Sequence, residues 1–116
     1  MNTLKTTAGV NINAEIFQNH LRALVNRFFK ILPMRENSGD HIEESLTTYM
    51  RSFQAELLGC KGLICEIQND ESYLTLIAIL QFLIDNPDTT VRTVRREVFK
   101  AISLCNKLIA QYVSEV

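Results

Sequence analysis

A chain of 116 residues is long enough for one hydrophobic core and too short for two ordinary domains. Hydrophobic residues make up 47% and charged residues 22%, a globular balance that excludes wholesale disorder. The formal net charge of −1 gives no bulk attraction to nucleic acid or to membrane surfaces, so any charge-driven function has to come from a local patch.

Residues 1–12 are polar and aperiodic, which predicts a flexible N-terminal tail ahead of a single helical domain over 13–116. The start, Met1-Asn2-Thr3-Leu4-Lys5, carries no apolar stretch of signal-peptide type. The most apolar run, residues 74–84, is broken by Thr75 and Gln81 and falls short of the ~20 residues a bilayer requires. The expectation is a cytoplasmic protein without a membrane partner.

From Asn13, a helix cap, apolar residues recur at Phe17, Leu21, Leu24, Phe28 and Ile31, and Pro33 is expected to end that helix. Residues 33–40, with Asn37-Ser38-Gly39, read as a loop. A second helix is expected from Asp40, where Asp40 and Glu43 have capping-box spacing. Its stripe, Ile42, Leu46, Tyr49, Phe53, Leu57, Cys60, Ile64 and Ile67, advances in steps of three and four. Asn69-Asp70 stops it and caps a third helix over residues 71–85. That helix is apolar nearly all round, so it is expected at the centre of the core. Asn86-Pro87 breaks it, and Asp88 or Thr89 caps a fourth helix whose stripe is Val91, Val94, Val98, Ile102, Cys105, Ile109 and Tyr112. No strand is predicted. The fold class is all-α: a four-helix bundle, mostly antiparallel because the connections are short.

Catalytic chemistry has few materials here. A di-iron bundle needs Glu three residues before each His, but Phe17 precedes His20 and Ser38 precedes His41 at that spacing. Three scattered thiols, Cys60, Cys65 and Cys105, and two remote imidazoles lack zinc-ligand spacing. Gly59-Cys60-Lys61-Gly62 lies within a helical pattern without the preceding strand of a phosphate loop. A Cys–His nucleophile pair would have to be assembled by the fold. Cys60 and Cys105 lie on apolar stripes and read as core thiols, Cys65 as the least protected one, and His20 as a ring at the core margin. The expectation is no enzyme, no cofactor and no metal.

Two surfaces stand out. With Val98 at zero, Arg92, Arg96, Lys107 and Lys100 fall at about 120, 160, 180 and 200 degrees on the fourth helix, with Arg95 beside them. Such a stripe suits nucleic-acid phosphates or an acidic protein partner, and equally a solvated face. A helix-turn-helix reading fails, because residues 98–102 run on without a turn. The back of the second helix carries Thr48, Ala55, Gly59, Gly62 and Glu66, flanked by Leu58 and Leu63. Small residues at that spacing admit a second backbone, from this chain or another copy, unless the glycines mark a kink.

The strings Leu32-Pro33-Met34-Arg35-Glu36, Glu56-Leu57-Leu58-Gly59-Cys60-Lys61 and Val94-Arg95-Arg96-Glu97-Val98-Phe99-Lys100-Ala101-Ile102 resemble those of short uncharacterised helical proteins carried on bacterial mobile elements and phages. The resemblance implies a small accessory or inhibitory protein that acts by binding and assigns no residue a role. The functional expectation is a regulatory interaction protein that works through helix faces, possible as a homo-oligomer. The alternative is a nucleic-acid accessory protein that uses the basic stripe.

Overall fold

The computed structural model describes residues 3–5, 11–37, 39 and 42–111, apart from the side chains of Thr3, Lys5, Asn11, Ile12, Ala14 and Glu66. Two short strands, β1 (Thr3–Lys5) and β2 (Asn11–Asn13), precede five α-helices: α1 (Ala14–Phe29), α2 (Ile31–Glu36), α3 (Glu44–Leu63), α4 (Glu71–Asp85) and α5 (Val91–Gln111). The four long helices form an all-α bundle.

Pro33 acts four residues earlier than expected. It has no N–H for the carbonyl of Phe29, and its ring crowds that carbonyl, so α1 stops at Phe29. Pro33 then occupies the third position of α2, where a missing N–H costs nothing because no intrahelical acceptor exists there. The stretch from Pro33, expected as a loop, is therefore mostly a helical turn. Ile31 and Arg35 anchor that turn in the core.

The second predicted helix is shorter at both ends. It starts at Glu44 with Glu43 in the cap position, so the capping role given to Asp40 is not used; Asp40 itself lies outside the described residues. It ends at Leu63, where Ile64 turns extended (φ −109°, ψ 117°), and a 3-10 turn, Cys65–Ile67, follows. Gly59 and Gly62 weaken the last turns by about 1 kcal/mol each relative to alanine. Unwinding is cheap because Ile64 and Ile67 remain buried after it. Asp70 caps α4 as expected, its carboxylate accepting from the Tyr73 amide at 3.0 Å. Thr90, one residue beyond the expected caps, accepts from the Thr93 amide at the start of α5.

The N-terminal end differs from its sequence reading. β1 and β2 pair antiparallel, Leu4 opposite Ile12, and Leu4 is buried beside the 3-10 turn. Three-residue strands are too short to announce themselves by alternation.

The position of α4 is a second correction. It buries Tyr73, Leu76, Ile79, Leu80 and Leu83, but Leu74 and Phe82 remain exposed, at 37% and 40%. It packs mainly on α3 and α5, whereas α5 touches α1, α2 and α4. The hub is α5. An apolar circumference records what a helix could bury, and among the described residues no element covers Leu74 and Phe82 on α4's outer side.

Going round the bundle the order is α1, α5, α4, α3. The seam between α3 and α1 is closed by long side chains. Phe28 and Phe53 meet with ring centroids 4.7 Å apart, and the Arg27 guanidinium lies 4.3 Å above the Phe53 ring. The Tyr49 hydroxyl donates to the Arg27 carbonyl at 2.8 Å, and Arg27 pairs with Glu56. The result is two layers, α1/α5 with α2 on one side and α3/α4 on the other.

Candidate functional site

The structure brings together one pair that the sequence could not place. Cys60 Sγ lies 3.4 Å from His20 Nε2, across the α1–α3 seam. Phe17 stacks beside the imidazole, its centroid 6.1 Å away. Burial pushes the Cys60 thiol above its ordinary range, only partly opposed by the Tyr73 hydroxyl. Burial also holds His20 below its usual value, with Glu56 pulling it upward and Arg27 pushing it down. Both shifts favour a neutral thiol against a neutral imidazole rather than a thiolate–imidazolium pair. Cys60 sits in the last turn of α3, where the negative end of the helix dipole further opposes a thiolate. Chemically this is a weak nucleophile, and mechanically it is one more tie between α1 and α3. Among the described residues, no group of three or more His, Cys, Asp and Glu side chains is placed to hold a metal ion.

Arg35 is a site the sequence reading missed. It is 2% exposed, and its guanidinium donates to main-chain carbonyls: Nη1 to Gly39 at 2.7 Å, Nη2 and Nε to Thr89 at 3.1 and 3.3 Å. Together with the Ile42 amide on the Pro87 carbonyl, it locks α2 to the α4–α5 connection. An Arg two residues after a proline gives no signal of burial. Only the tertiary arrangement of unpaired loop carbonyls calls for a five-donor fork.

The back of α3 lies in the open. Thr48, Ala55, Gly59 and Gly62 are exposed, as are Leu58 at 49% and Leu63 at 53%. A Cβ built on Gly59 or Gly62 meets nothing within 4 Å, so among the described residues no other helix packs there. The helix also runs unbroken through both glycines. Glu66 lies beyond the end of α3, in the 3-10 turn.

The cations of α5 are all exposed. Arg95 pairs with Glu36 of α2 at 2.8 Å, and Arg96 with its neighbour Glu97 at 3.5 Å. Arg92, Lys100 and Lys107 have no ion pair among the described residues.

The near-zero net charge conceals a segregation. Over residues 14–37 and 91–111 stand nine cations, Arg22, Arg27, Lys30, Arg35, Arg92, Arg95, Arg96, Lys100 and Lys107, against three anions, Glu15, Glu36 and Glu97. Over residues 42–90 the ratio reverses, with Arg51 and Lys61 against Glu43, Glu44, Glu56, Glu66, Asp70, Glu71, Asp85 and Asp88. The chain matches no protein-family model, no curated protein and no solved structure. Function therefore has to be argued from these faces. Among the described residues no helix is long and apolar enough to cross a membrane.

Proposed function

We propose that this protein is a small non-catalytic interaction module, and that its α3/α4 outer layer is the surface through which it binds a second copy of itself. The observation that carries this reading is the uncovered apolar face: Leu58 and Leu63 on α3, Leu74 and Phe82 on α4, beside two glycines with open space above them. Contiguous exposed apolar patches mark contact surfaces more often than scattered side chains do, and four of the seven large exposed hydrophobics among the described residues lie on this layer. A two-fold contact places a face against itself, so it must be free of like charges. Between Ser52 and Leu63 the outward positions Ala55, Leu58, Gly59 and Gly62 carry no charge, Glu56 is tied to Arg27 on the α1 side, and the exposed Arg51 bounds the face one turn before Ala55. Small residues at Ala55, Gly59 and Gly62 let two backbones approach.

Three unpaired thiols support a reducing, cytoplasmic setting for this work. The resemblance to small helical proteins of mobile elements fits an accessory or inhibitory role exerted by binding. Sedimentation velocity across the micromolar range tests the proposal. Wild type is expected to sediment as a dimer and Gly59→Lys as a monomer. A wild type that stays monomeric throughout overturns it.

A further inference from the structure

The opposite layer carries a different combination, independent of self-association. Phe99 projects from α5 in the middle of the cationic stripe. With Val98 at zero it stands at about 100 degrees, between Arg95 at about 60 and Arg92 and Arg96 at about 120 and 160. It is 47% exposed. Phe29, at the C-terminal end of α1, is 42% exposed and meets Phe99 edge-to-face, with centroids 6.0 Å apart. Lys30 follows it, also exposed. Two half-open aromatic rings thus lie among cations, on the layer that holds nine of the chain's twelve Lys and Arg residues.

We infer that the outer face of α1 and α5 binds single-stranded nucleic acid, with Phe29 and Phe99 as a platform for unpaired bases and Arg92, Arg96, Lys100 and Lys107 on the phosphates. The cations supply what a polyanion needs. Arg92, Arg96 and Lys100 follow one another at four-residue steps, about 6 Å apart along the axis, and the stripe to Lys107 is roughly 22 Å long. Among the described residues, Arg92, Lys100 and Lys107 carry no counter-ion that would have to be displaced. The rings decide between kinds of polyanion. A duplex hides the faces of its bases, whereas single strands offer flat surfaces that stack on aromatic side chains irrespective of sequence. A purely acidic peptide such as polyglutamate has charge but no flat ring for the two phenylalanines to stack on. The acidic layer of a second copy is a poorer match, since apart from Glu56, which pairs with Arg27, its described exposed carboxylates lie near the ends of α3 and α4, at Glu43, Glu44, Glu71, Asp85 and Asp88, rather than along a stripe.

Fluorescence anisotropy with a labelled oligothymidylate, a labelled duplex of equal length and a polyglutamate competitor tests the inference. The wild type is expected to bind the single strand at low salt, to release it steeply as salt rises, and to prefer it to the duplex. Phe29→Leu and Phe99→Leu keep apolar bulk and remove the flat ring, so the fold is retained. Each is expected to weaken single-strand binding about tenfold and to leave duplex binding unchanged. Charge reversal at Arg92, Arg96, Lys100 and Lys107 is expected to abolish binding of both. Absence of any single-strand binding at low salt overturns the inference. So does affinity that the two ring substitutions leave unaltered, or displacement by polyglutamate at an equal concentration of charge.

Discussion

The outer faces of α3 and α5 are built from similar helices of nearly equal length, yet they turn opposite chemistries to the surroundings. The α3 face is small and apolar, with open space over Gly59 and Gly62. The α5 face is cationic and carries an exposed aromatic ring in contact with a second one on α1. A net charge of −1 averages these layers into apparent neutrality. The lesson is that whole-chain charge says little about a bundle until its helices are assigned to layers, because electrostatic recognition acts over about 10 Å at ordinary salt, less than the breadth of the molecule.

The comparison depends on the layers staying together, and the largest expected effect comes from parting them. Phe53 joins α3 to α1 through Phe28 and Arg27, and it is fully buried. Phe53→Ala is expected to cost about 3–5 kcal/mol in chemical denaturation. A loss under 1 kcal/mol would mean that the seam is not packed as described.

Next comes the buried fork on the basic layer. Arg35→Ala strands the carbonyls of Gly39 and Thr89 and is expected to cost about 2–3 kcal/mol, with Arg35→Lys recovering only part because an ammonium cannot span both acceptors. Equal stability of the alanine and lysine variants would argue against the fork.

Smaller still is the effect of filling the open α3 face. At dilutions where the protein is monomeric, Gly59→Ala is expected to raise stability by up to about 1 kcal/mol, since the added methyl meets nothing and the helix gains propensity. Destabilisation there would show that the glycine is already covered.

The pH response of the α1–α3 seam is expected to be the mildest effect. His20 is held below 6.5 when folded, so the unfolded chain binds the extra proton first, and stability is lost as pH falls below 6.5. Thermal melts of His20→Gln should show a flatter acid limb than wild type. At the alkaline end, burial pushes Cys105 up to about 12 from 9.0. The unfolded thiol ionises first, and stability should therefore fall as pH rises from about 9, less so in Cys105→Ala.

Much of this was legible in the residues, and the misses have physical causes. Of the stripe read on α5, Val94, Val98, Ile102 and Cys105 are buried, Val91 and Ile109 are half-buried, and Tyr112 lies outside the described residues. The stripe omits Ala101 and Leu108, which are buried because a helix touching three others needs a wider apolar arc than one touching a single neighbour. Proline marks a break but not on which side the helix resumes, so the periodicity alone does not reveal α2, which starts after the Phe29 carbonyl that Pro33 leaves without a donor. The apolar circumference of α4 is legible, whereas the exposure of Leu74 and Phe82 belongs to the tertiary arrangement. The same holds for His20 against Cys60, forty residues apart in sequence. Phe99 was visible among arginines, but its significance depends on Phe29 reaching it from another helix.

The sharpest test pits the two layers against each other with one chemical change. Gly59→Lys and Ser103→Lys each add a cation at an exposed helical position, the first on α3 and the second on α5. In sedimentation equilibrium at matched concentrations, wild type and Ser103→Lys are expected to be dimers and Gly59→Lys a monomer. Identical behaviour of the two variants, or a monomeric wild type, would contradict the assignment of self-association to the α3 face.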